Sequence, residues 1–133
     1  MIRDQQGQAL IVTVLILAIA AMTLSGLRLA QDRILAEAHE RRAGEAAVEA
    51  ATAVIADAYT VARASRTEDV AAAISEPSAH EAARVAAQAM STANGGGDVS
   101  DVSAQCRARS VDVAVTVAGR VYRAGFEASC SLR

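Results

Sequence analysis

Two histidines, two cysteines and a run of three glycines are the residues in this 133-residue chain that could do chemistry, and their spacing decides against each. A zinc-protease helix needs a second histidine one turn after the first. His80-Glu81 is followed by Ala82, Ala83 and Arg84, and His39-Glu40 by Arg41 and Arg42, so neither has that ligand. Gly95-Gly96-Gly97 lacks the Lys-Ser/Thr that completes a phosphate loop, and it follows a helical pattern rather than a strand. Cys106 and Cys130 lie too far apart for a CxxC redox pair and are too few for a zinc set. The carboxylates sit mostly at helical spacing from arginines. These residues therefore predict no catalytic, metal or cofactor site, no small-molecule substrate, and a protein that is not an enzyme.

The elements that carry them begin with a long apolar stretch. No charged residue occurs from Gln5 to Leu27. At about 1.5 Å per residue such a run crosses a hydrocarbon core of roughly 30 Å. A signal peptide is the competing expectation: Arg3 as a thin basic region, Ala9 to Leu17 as the apolar core, and Ala18-Ile19-Ala20 as a cleavage site. The apolar run continues through Leu27, however, whereas a signal's apolar core ends near its cut. The segment is therefore read as a retained transmembrane helix over 9–27, after a short leader, 1–8.

Residues 28–66 contain no proline and are dense in Ala, Leu, Glu and Arg, so the helix is expected to continue beyond the span. Val48, Thr52, Ile55, Tyr59 and Ala62 recur at intervals of four and three, a narrow apolar seam that predicts a packing face. Short helices and a glycine-rich loop follow over 67–97. Thr67, Glu68 and Asp69 read as the start of a helix at Val70 to Ile74, ended by Pro77. Ser78 and Glu81 have capping-box spacing for a second helix with an inner face of Ala82, Val85, Ala86, Ala89 and Met90, closing at Asn94 to Gly97.

From 98 to 133 the period becomes two, the signature of strands. Ala104, Cys106 and Ala108 share one phase; Val111, Val113, Val115 and Val117 take the other, which implies a bulge near Arg109-Ser110 or a turn between two strands. A two-residue turn at Gly119-Arg120 would bring Tyr122 opposite Val117, Ala124 opposite Val115 and Phe126 opposite Val113, on one packing face. In a three-stranded meander Cys106 and Cys130 would lie on outer strands, roughly 9–10 Å apart, beyond the about 4.4–6.8 Å that a disulfide tolerates. A long two-stranded hairpin with a bulge puts them on adjacent strands, and on that topology a Cys106–Cys130 disulfide is expected.

Charge and composition bound the partners. All thirteen basic residues are Arg and the net charge is −2, which gives no reason to expect nucleic acid. Residues 67–101 are acidic and 102–133 basic, an asymmetry that could join neighbouring subunits head to tail. Aromatics make up 2 % of the chain, and small domains already bury a low fraction of their surface. The part outside the span is therefore expected to lean on a disulfide, the bilayer or other subunits. Arginines after the span (Arg28, Arg33, Arg41, Arg42) favour a cytoplasmic C-terminal part; a disulfide favours an extracytoplasmic one.

The Gly7-Gln8-Ala9-Leu10 start of an apolar helix, EAAVEAATAVIADA (Glu45 to Ala58), EAARVAAQAMSTANGG (Glu81 to Gly96), a cysteine strand and the strand VDVAVTV together resemble the TadE/TadG-like family, minor pseudopilins of the tight-adherence (Flp-type) pilus. The resemblance implies prepilin cleavage between Gly7 and Gln8. Related pilins carry glutamate at the fifth position after the cut, where this chain has Val12. That removes a contact to a neighbour's terminal amine, so a minor, initiating or anchoring component is implied rather than a bulk subunit.

The expectation is an α+β, pilin-like protein: a long N-terminal helix, short helices, then a C-terminal antiparallel hairpin or small sheet. It would sit in the cytoplasmic membrane by a single span with its C-terminal domain outside, in a surface filament or its assembly platform. Its partners would be the lipid bilayer and other pilin, pseudopilin or pilus-assembly proteins in a hetero-oligomer. The alternatives are a secreted binding domain released after Ala20 and a cytoplasm-facing scaffold.

Overall fold

The computed structural model describes residues 3–67 and 69–130, with side chains from residue 10 onward. Glu68 and Arg133, which enter the charge asymmetry, lie outside the described residues, and at Gly7 and Gln8 only the helical backbone is described. The fold is α+β. Six elements follow in order: α1 (Arg3–Ala64), α2 (Val70–Ile74), α3 (Pro77–Ala93), β1 (Val99–Arg107), β2 (Ser110–Val117) and β3 (Arg120–Glu127). They divide between two compact units, Met1–Glu37 and Ala38–Arg133, and α1 contributes to both.

In the first unit α1 has no apolar side chain to pack on: its large hydrophobics from Leu10 to Leu35 are 50 to 75 % exposed. In the second unit the same helix buries a face. Ala47, Ala51 and Ile55 are fully enclosed, in one cluster with Ala83 and Ala87 of α3 and the valines of β2. α1 stops at Ala64 because the next residues turn left-handed. Arg66 has φ 53°, and the Thr67 N–H donates to the Ala62 carbonyl (3.0 Å) while the Arg66 N–H reaches Arg63 (3.2 Å), a Schellman ending.

α2 occupies the expected residues, but Asp69 caps it, its carboxylate accepting the Ala72 N–H at 2.9 Å. Pro77 does not end a helix; it begins α3 at the first helical position, where its missing N–H costs nothing. Glu76 therefore takes the N-cap position, without a side-chain hydrogen bond, and the expected Ser78/Glu81 capping box does not form. Glu81 is held instead by Arg84.

The inner face of α3 also differs from the expectation. Ala83, Ala87 and Ser91 are fully buried, Ala82, Val85, Ala89 and Met90 are exposed, and Ala86 is half-buried. Small side chains on the inward face let α3 lie close to its neighbours. A Cβ added at Gly96 would collide with Ala43 of α1 and with Ser91. Ser91 is tolerated inside because its hydroxyl donates to the Gly97 carbonyl at 2.7 Å.

The strands form a three-stranded antiparallel meander in the order β1-β2-β3. The phase change near Arg109 is thus a turn rather than a bulge, and the long two-stranded hairpin does not form. The β2–β3 turn is Ala118-Gly119, with φ of 48° and 78°; positive φ at both positions gives the primed twist that hairpins favour, at a steric cost for Ala118. The register is accordingly Val117↔Arg120, Val115↔Tyr122, Val113↔Ala124 and Val111↔Phe126, displaced by two residues from the expected one. An even displacement keeps every side chain on its face, so the inward valines stay inward. β2 alternates buried and half-buried residues, while no residue of β3 is fully buried.

Candidate functional site

With no reactive constellation expected, the candidate site is the apolar segment together with the surfaces of the second unit. α1 is long and apolar enough to cross a membrane, near the N-terminus. Its polar side chains are satisfied locally: the Thr23 hydroxyl donates to the carbonyls of Ile19 (3.1 Å) and Ala20 (2.9 Å), and the Ser25 hydroxyl to that of Ala21 (2.8 Å). In lipid, where water is absent, such internal pairing removes the main cost of a hydroxyl. A Cβ at Gly26 would meet nothing within 4 Å, so no contact within the chain requires glycine there.

In the second unit Val48, Ile55 and Ala62 are buried and Thr52 and Tyr59 half-buried. Val111, Val113, Val115 and Val117 are buried on the facing sheet, with Tyr122 and Phe126 half-buried at its β3 side. Two tyrosines fasten helix to sheet. Tyr122 lies over Gly44, where any side chain would collide with the ring, and its hydroxyl donates to the Glu40 carbonyl at 3.4 Å. Tyr59 sits edge-on to Phe126, with ring centroids 5.7 Å apart. The Tyr59 hydroxyl donates to the Ser129 carbonyl and accepts the Ser129 N–H, both at 3.2 Å. Gly44 lies outside the expected packing face; a lone glycine inside a helical pattern is its only sequence signal.

Cys106 and Cys130 form a disulfide with Cα atoms 6.0 Å apart, in the meander whose strand spacing alone forbids it. Cys130 is not on a strand. After Glu127 the chain leaves β3, the Ala128 N–H donates to the Arg109 carbonyl at 3.1 Å, and the segment crosses the end of the sheet. Cys130 Sγ then lies 3.3 Å from the Arg107 carbonyl oxygen, at the end of β1. The bridge therefore spans β2 through the trailing segment rather than along the sheet.

The charged tail is partly satisfied within its own chain. Arg107 pairs with Asp112 across the outer sheet face (2.8 Å) and Arg120 with Glu40 of α1 (3.5 Å). Arg109 and Arg123 have no ion pair among the described residues. In α3 the Arg84 guanidinium donates to both Glu81 oxygens (2.8 and 2.6 Å), which holds the Glu81 carboxyl below and Arg84 above their ordinary values. Both are on the surface, where solvent screens such pairs. His80 keeps a buried Nε2 without a hydrogen-bond partner, and no three His, Cys, Asp or Glu side chains among the described residues gather as a metal set. No protein-family model, no curated protein and no solved structure matches the chain.

Proposed function

We propose that this chain is a membrane-anchored structural subunit: a single-span, minor pseudopilin-like component of a pilus of the tight-adherence type or a related assembly apparatus. The observation that carries the reading is the contrast within α1. Its first part exposes every large apolar side chain, which suits a bilayer, and its last part is the backbone of a small disulfide-closed head. The Gly7-Gln8-Ala9-Leu10 start and the order of helix, cysteine strand and valine strand support the family assignment. The disulfide favours an extracytoplasmic head, since such bonds persist in oxidising compartments. Partners would be other pilin-like subunits.

Carbonate extraction of membranes, followed by N-terminal sequencing, tests this reading. Retention in the membrane with a start at Gln8 supports a processed pseudopilin, and retention with Met1 an unprocessed anchor. A soluble product starting at Ala21 overturns the anchor. Free, cytoplasm-accessible Cys106 and Cys130 in intact cells would overturn the sidedness.

A further inference from the structure

The two edges of the sheet are treated differently. At the β1 edge the Val99 N–H is capped by the Gln88 side-chain carbonyl (2.8 Å), the pairing slips between Val99 and Asp101, and α2 and α3 lie against the strand. Covering an edge and bulging it are two of the devices by which proteins block strand addition. β3 has neither: it runs eight residues without proline or register shift, and Val121 is 56 % exposed.

The turn fixes which backbone groups are free. In a two-residue primed hairpin the flanking pair, here Val117 and Arg120, exchanges both hydrogen bonds, and every second pair along the ladder does the same. Residues 120, 122, 124 and 126 are therefore spent on β2. Val121, Arg123, Gly125 and Glu127 direct their N–H and C=O groups away from the sheet, and these groups have no partner among the described residues. Their side chains share the outer face, where neither Arg123 nor Glu127 has an ion pair among the described residues.

We propose that this edge takes an extended segment of another protein chain as a fourth strand, running antiparallel to β3 with a basic residue opposite Glu127 and, four residues on, an acidic residue opposite Arg123. Main-chain pairing supplies the attachment and alternate side chains the selectivity. Cross-strand opposite charges favour this pattern and like charges oppose its reverse.

The test uses the full-length protein in detergent micelles and the synthetic peptide acetyl-Lys-Val-Thr-Val-Glu-Val-Thr-amide, with amide hydrogen exchange as the readout. Exchange at Val121, Arg123, Gly125 and Glu127 should slow by about tenfold or more with the peptide, and less with a control in which its Lys and Glu are interchanged. Of the backbone donors, Arg123→Pro removes only an outward one, together with the Arg123 charge, so protection at Tyr122 and Ala124 should persist while the response to the peptide is lost. Arg123→Glu should weaken the response to the first peptide. Unchanged exchange at the four amides overturns the proposal. So does equal protection by both peptides, or protection already present without any peptide, which would mean that a second copy occupies the edge.

Discussion

The two ends of α1 handle hydrophobicity in opposite ways. Among the described residues every leucine lies between Leu10 and Leu35, on the surface, while the described part of the head has none and builds its core from alanine, valine and two isoleucines, Ile55 and Ile74. Large side chains are spent where nothing in the chain covers them, and short ones where helix and sheet must approach closely. The lesson is that bulk marks the part of this molecule that no other part of it covers, and smallness marks the part facing itself.

Matched substitutions sharpen this contrast. Ile55→Ala in the head should cost about 2–5 kcal/mol, because a fully buried side chain leaves a cavity that a thin core cannot close. Ile16→Ala, the same change on the exposed part of α1, should leave the denaturant midpoint of the head where it was. Equal effects of the two would break the comparison. Next in size, replacing both Cys106 and Cys130 by Ser should cost the head about 2–4 kcal/mol, the usual value of a bridge closing a loop of this length. Membrane retention of α1 should not change.

Gly44→Ala should cost about 1–3 kcal/mol by overpacking against the Tyr122 ring. Gly26→Ala, where space is open, should leave head stability unaltered, and denaturant midpoints measured in micelles compare them. The smallest effect belongs to Glu81. Its folded pKa lies below the ordinary carboxylate value, so its stabilising contribution is present at neutral pH and disappears as pH falls through the folded value. Glu81→Gln should slightly flatten the acid limb of the stability profile, and a steeper acid limb in the variant would contradict the pairing with Arg84.

Punctuation made much of the fold legible. The end of α1 near Ser65, α2 at Val70–Ile74 and the closure of α3 at Asn94 all follow from breaker and turn residues. Choices between two acceptable local solutions were not legible. α3 has two apolar faces, and the bulkier one, with Val85 and Met90, is the natural reading on hydrophobicity; the close packing of α3 on β1 selects Ala83, Ala87 and Ser91. At the hairpin, both primed turns match the strand twist and glycine suits either, so the pattern does not reveal that Ala118-Gly119 forms the turn, with alanine at a positive φ that it resists. The disulfide pairing was readable and its route was not. The meander spacing separates the two cysteines only if Cys130 remains on a strand, whereas three residues past Glu127 are enough to cross the sheet's end. Nothing in a period-two pattern reveals that β1 is covered and β3 is bare, since coverage depends on where α2 and α3 come to rest.

The placement of Tyr59 and Tyr122 has a practical corollary. The chain has no tryptophan, and these are its two tyrosines, both on the junction between α1 and the sheet. Near-ultraviolet emission from the intact molecule therefore comes from that junction, and a change in quenching would record the helix lifting from the strands without any label being introduced.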